Sequence, residues 1–258
     1  MKLSREQLLC DLRQAYYDAR RHKRNRRYQL AFEANLDVNL LTLRDELFNR
    51  TYSAGPSTCF LVKDPKLREV FAAQFRDRIV HHLYYNYTHR MLERTFIADS
   101  YSCIKGRGTH YGIDRLERHI RRVSDNWRHP CYVLKMDIRG YFMHINRDRL
   151  LEITLGQLGR MSRRRVSKDM EYRWCDVIDL EFVKWLSREI ILLNPTDDCK
   201  VQGRREEWHN LSHDKSLFHS PQGCGLPIVN LTSQLFSNVY LRDIQLNPLF
   251  LGRLTPRE

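Results

Sequence analysis

Apolar positions recur at helical spacing near the start of the chain, where Leu8, Leu9, Leu12, Ala15, Tyr16 and Ala19 make one stripe and predict a helix over residues 4–24. A second helix is expected over Leu36–Phe48, in which Leu36, Val38, Leu40, Leu41, Leu43 and Leu47 are apolar. The rhythm then changes. In "STCFLVKDPKLREVFAA" two β-rich runs flank Asp64-Pro65-Lys66, a turn-forming tripeptide, so a hairpin is expected. Arg76–Leu92 reads as helix again, with Ile79, Val80, Leu83 and Met91 on its apolar side. His81 and His82 lie within it, where packing or solvent suits them and no metal is required.

Further along, "DSYSCIKGRGTHYGIDRLERHIRR" passes from a loop into an amphipathic helix that runs to about Arg122. Cys131–Asp137 alternates like a strand, and Asn146 is placed to start a helix. A long helical region is expected from about Lys168 to Leu193. Residues 194–222 are polar and turn-rich, which predicts an ordered but irregular insertion. The last apolar run, Leu226–Leu249, reads as a helix interrupted near Pro248. No internal repeat or low-complexity linker divides the chain.

A hydrophobic content of 42% over 258 residues supports a globular fold with a real core. No leader-like segment follows Met1, and no apolar run approaches the ~20 residues of a membrane span, so a cytoplasmic protein with no membrane partner is expected. The seven cysteines, Cys10, Cys59, Cys103, Cys131, Cys175, Cys199 and Cys224, stand singly, which indicates reduced thiols and neither a disulfide framework nor a zinc module.

Charge changes the picture more. Lys and Arg total 44 against 31 Asp and Glu, and the formal charge of +13 points to a polyanionic partner. Three basic clusters stand out: Arg20–Arg27, the loop Lys105-Gly106-Arg107-Gly108, and Arg160–Arg165. Each is suited to a phosphate backbone or to a solvated loop.

Taken in order, "FLVKDPKLREV", "FRDRIVHHL", "SYSCIKGRGTH", "YVLKMDIRGYF" and "GLPIVNLTSQLFSNVYL" resemble the reverse transcriptase family. They are most similar to the bacterial retroelement enzymes of group II introns, retrons and diversity-generating retroelements, the last above all. The resemblance covers roughly Leu36–Leu241. It implies an α/β (α+β), helix-rich right-hand polymerase fold with a basic helical extension at 1–35, fingers at 36–130 and a partial palm at 131–258 carrying the insertion at about 194–222. It also implies an incomplete antiparallel palm sheet and no thumb. The implied activity is RNA-directed DNA polymerisation by two Mg²⁺ ions about 4 Å apart. The partners would be an RNA template, a DNA or RNA primer, deoxynucleotides and an accessory RNA-binding protein.

By the same resemblance Asp137 is the catalytic carboxylate that binds Mg²⁺, with the Ile138 carbonyl as a further ligand; taken alone, Asp137 reads as a helix-capping or ion-paired residue at a strand end. Lys63 and Arg68 match cations that hold the triphosphate, and Phe142 an aromatic beneath the incoming sugar. Ile228 stands where many polymerases have glutamine. Lys105, Arg107, Pro227, Ser233 and Gln234 match template and primer contacts. Val229 occupies a position that is usually glycine.

The aromatic-x-Asp-Asp turn that would complete the metal site is not found downstream of Ser233-Gln234. Asp197-Asp198 and Asp243 do not fit its place, so a chain truncated before that motif and inactive alone is expected. The competing expectation is a non-catalytic RNA-binding module.

Overall fold

The computed structural model describes residues 2–21, 26–228 and 230–245. Helix α1 (Arg5–Arg20) buries Leu8, Leu12, Ala15 and Ala19, one face of a helix, against α3 (Leu36–Phe48) and α4 (Phe75–Glu93). Ser4 caps α1 by accepting the Gln7 amide on its hydroxyl at 3.1 Å. Helix α4 is the centre of the molecule. It also packs against α6 (Arg147–Ser162), α8 (Leu180–Leu192) and α9 (Leu231–Gln245), so apolar residues are needed around much of its circumference. Tyr84 of α4 is fully buried, and its hydroxyl meets Ser187 Oγ of α8 at 3.0 Å, which leaves neither oxygen without a partner. A single apolar cluster draws on all six of these helices, so the core crosses residues 35 and 130.

The expected hairpin forms from β1 (Ser57–Val62) and β2 (Arg68–Ala72), antiparallel with Phe60 opposite Val70. The amphipathic helix α5 covers Thr109–Val123. Asn146 starts α6, its side-chain oxygen accepting the Arg149 amide at 2.8 Å. Among the described residues no helix is long and apolar enough to cross a membrane.

Four expectations are corrected. Cys131–Asp137 is not a strand: residues 131–138 have no ladder partner among the described residues, and alternate side chains Tyr132, Leu134 and Met136 are 98%, 74% and 60% exposed. Alternation records a suitable face, but a strand also needs a neighbour to bond with. The polar segment 194–222 is not wholly irregular, because β3 (Cys199–Val201) pairs parallel with β1 and makes a mixed sheet ordered β2-β1-β3. Its partner lies far upstream, so no local signal announces it. The region 168–193 is not one helix. A loop closed by a bridge between Arg165 and Arg173 leads to the short α7 (Trp174–Val177), and α8 begins only where Asp179 caps it by accepting the Phe182 amide. Finally, α2 (Arg27–Glu33) emerges from the basic run, of which residues 22–25 lie outside the described residues. The break near Pro248 and the position of Val229 also lie outside them.

Candidate nucleic-acid interface

Strand alternation gives the hairpin two chemically different faces. On one, the cross-strand pair Cys59 and Phe71 joins Met143 and Leu217 in a second apolar cluster, against which Phe142 and Ile228 pack. Two residues that the resemblance assigned to the nucleotide thus pack against one cluster. The connection is covalently distant but tightly bonded: Leu226 N–H donates to the Phe142 carbonyl and Gly225 N–H to that of Ile145, both at 2.9 Å. Tyr141 and Phe142 lie in a 3₁₀ turn, Tyr141–His144, and both are half-buried.

The other hairpin face, with Thr58, Phe60, Val70 and Ala72, forms the floor of a groove of about 1330 Å³. One wall is α2 with Arg26, Arg27, Tyr28 and Phe32; the other is the start of α4 with Arg76, Arg78 and His82. Asn230 and Leu231 close one side, so the groove reaches the start of α9. Among the described residues four arginines line it and no Asp or Glu does.

The state of these cations follows from their partners. Arg76 is neutralised by an ion pair with Glu46. Arg78 donates to the Tyr28 hydroxyl at 3.0 Å and the Ala73 carbonyl at 2.8 Å and lies 4.9 Å above the Tyr28 ring, so its charge faces only neutral groups there. Arg26 and Arg27 are exposed and meet no carboxylate among the described residues. Burial pushes the His81 imidazole down to about 4, which keeps it neutral near pH 7 and sharing a 2.8 Å hydrogen bond with Thr232.

Helix α2 is fixed as a wall by Glu33. Burial acts to raise this carboxyl, but hydrogen bonds from Arg20, Gln29 and Tyr16 at 2.7, 2.8 and 2.9 Å hold it below its usual range. Arg20 of the basic run is thereby spent on folding. Arg26 and Arg27 belong to a run visible in sequence; Tyr28, Phe60 and Arg78 were missed because only tertiary packing gathers them there.

The remaining predicted residues are more dispersed. Lys63 is exposed and pairs with Glu207 of the 194–222 segment at 3.3 Å, while Arg68 is exposed on β2 opposite Val62. Lys105 is exposed. Arg107 holds its own loop, donating to the Ser100 carbonyl at 3.1 Å and the Ala98 carbonyl at 3.5 Å. Pro227 and Ser233 are buried and line a cavity of about 20 Å³ with Asp77 and His81, which is too small for a nucleotide, and Gln234 is half-buried on α9.

Asp137 and Ile138 are both exposed, and Asp137 Oδ1 accepts the Ile138 amide at 3.0 Å. Asp197 is engaged by Asn194 at 2.6 Å, and the Asp243 side chain lies outside the described part of the chain. Among the described residues no three His, Cys, Asp or Glu side chains gather into a group able to hold a metal. Two Mg²⁺ ions need converging oxygen ligands, so these residues do not fit a two-metal site and no catalytic step is derived from them. Compared with protein-family models and with curated proteins, the chain matches none.

Proposed function

We propose that the chain binds single-stranded RNA in the groove between α2, the hairpin and α4, as fingers and partial palm of a reverse-transcriptase-type, RNA-directed DNA polymerase. The observation that carries the binding is the absence of any carboxylate among the groove's described lining residues, combined with four arginines and the rings of Tyr28, Phe32 and Phe60. Phosphates are attracted by such a surface, and unpaired bases find ring faces on which to stack, whereas a duplex hides those base faces. Its volume of about 1330 Å³ exceeds the roughly 300–1,000 Å³ of most small-molecule pockets, which favours a segment of polymer. The polymerase assignment rests further on the ordered sequence blocks and on Phe142 and Ile228 both packing against the cluster that includes Cys59 and Phe71 of the hairpin.

Isolation of Asp137 favours a second reading, a non-catalytic RNA-binding module. Equilibrium binding of a primer–template pair in Mg²⁺ separates the two. The polymerase reading expects the deoxynucleotide complementary to the next template base to tighten the complex about tenfold, the effect of one charge-assisted contact of roughly 1.5 kcal/mol. The double variant Lys63→Ala/Arg68→Ala should lose that increment. Equal affinity with matched, mismatched and absent deoxynucleotide would remove the polymerase reading and leave the binding module.

A further inference from the structure

A second recess, of about 420 Å³, lies on the 194–222 segment and shares no lining residue with the hairpin groove. Its walls include the rings of Trp208, Phe218, His209, His213 and His219, with Arg205 at the surface. The rings are held by the fold. Trp208 Nε1 donates to buried Glu69 at 2.8 Å, and Phe218 rests 5.3 Å from the ring of buried Phe71. His213 and His219 stack with centroids 4.1 Å apart and planes 16° apart, which leaves each ring only its outer face for a further stack. Three histidines in one recess raise the question of a metal, but they are not gathered into a ligand group. Arg205 has no hydrogen-bond or ion-pair partner among the described residues; of the acids nearby, Glu207 is engaged by Lys63 and Asp214 by Arg139 at 2.8 Å, while Glu206 beside it is exposed.

A recess of this size suits a small ligand and not a helix or a strand of several residues. Its walls reward a flat ring, because aromatic and histidine side chains stack on bases, and the unpaired guanidinium offers a fork for phosphate oxygens. We infer that this recess is a binding site for one unstacked nucleotide, with the base against Trp208, Phe218 and the histidine pair and the phosphate on Arg205. It is independent of the groove and of polymerase activity. The same chemistry is offered by a free mononucleotide and by a single base splayed out of a bound strand.

The test titrates AMP, UMP and a ten-residue single-stranded RNA against the full chain and its Phe218→Leu and Arg205→Ala variants, with thermal unfolding as the check on folding. Both residues are exposed, and Arg205→Ala alone suffices where Phe218→Leu fails to fold. A mononucleotide bound by the wild type and weakened about fivefold or more in each folded variant supports the site with the free nucleotide as its ligand. No mononucleotide binding, together with the same loss for the RNA, supports it with a splayed base as the ligand. Unchanged affinity for every ligand in both variants overturns the inference while leaving RNA binding in the groove untouched. No binding of any ligand by the wild type overturns both.

Discussion

Glu69 shows how much one side chain can organise. It is 2% exposed and accepts three hydrogen bonds, from Trp208 Nε1 at 2.8 Å, Ser216 Oγ at 2.9 Å and the Leu217 amide at 2.7 Å. These join β2 to the 194–222 segment, so Glu69→Ala leaves three donors without an acceptor. At roughly 1 kcal/mol or more each, the loss is about 3 kcal/mol, measurable by urea denaturation, with Glu69→Gln milder because its amide oxygen still accepts. A loss under about 1 kcal/mol for Glu69→Ala would show that the segment is not held through this residue.

His81 makes a different prediction. Its pKa is depressed from 6.5 to about 4 by burial, so the unfolded chain binds the proton more readily and stability falls as pH drops from about 6.5 towards 4. The contribution is on the order of 3 kcal/mol. Asp77, in the same small cavity, acts oppositely: burial raises its carboxyl despite hydrogen bonds from Tyr52 and the Gly55 amide, so its contribution is lost as pH rises through that raised value. The difference between wild type and His81→Gln across pH 7 to 4 isolates the histidine, and a difference that does not change with pH would contradict the assignment. Of these residues only His81 was noticeable in sequence, as a residue suited to packing or solvent. The acids in "KLREVF" and "FRDRIV" gave no sign of burial, because burial depends on what packs over them.

At the scale of elements, local patterns were legible where the partner was close in the chain. The hairpin announced itself through two β-rich runs and Asp64-Pro65-Lys66, and α6 through Asn146, whose replacement by alanine should cost about 1 kcal/mol in thermal or urea unfolding. Elements whose partners are distant were not legible, as β3 illustrates. The segment Tyr132–Ile138 is the converse case, a good strand pattern without a ladder neighbour among the described residues. An exposed segment outside regular secondary structure that bears Tyr132, Leu134 and Met136 is open to proteases and to association. Limited chymotrypsin digestion should therefore cut first between residues 131 and 139, and Leu134→Lys/Met136→Lys should reduce aggregation without lowering the unfolding temperature. A first cut within α4 or α6 would show that this segment is covered in solution.

For the whole molecule, the formal charge of +13 indicated a polyanion, but it could not say where one binds. The fold supplies the location by placing Arg26, Arg27 and Arg78 beside Tyr28 and Phe60 while Arg20 and Arg76 are consumed by Glu33 and Glu46. The candidate metal site was legible as one carboxylate, Asp137, with the Ile138 carbonyl, and among the described residues no group of three or more His, Cys, Asp or Glu forms around it.

The most direct measurement is fluorescence-anisotropy binding of single-stranded RNA across a potassium chloride series, with the wild type and the Arg26→Ala/Arg27→Ala double variant. Loss of two phosphate contacts at about 0.7 each should flatten the plot of log affinity against log salt by about 1.4, with the unfolding temperature unchanged. An unaltered slope and affinity in the double variant would contradict the groove as the RNA site.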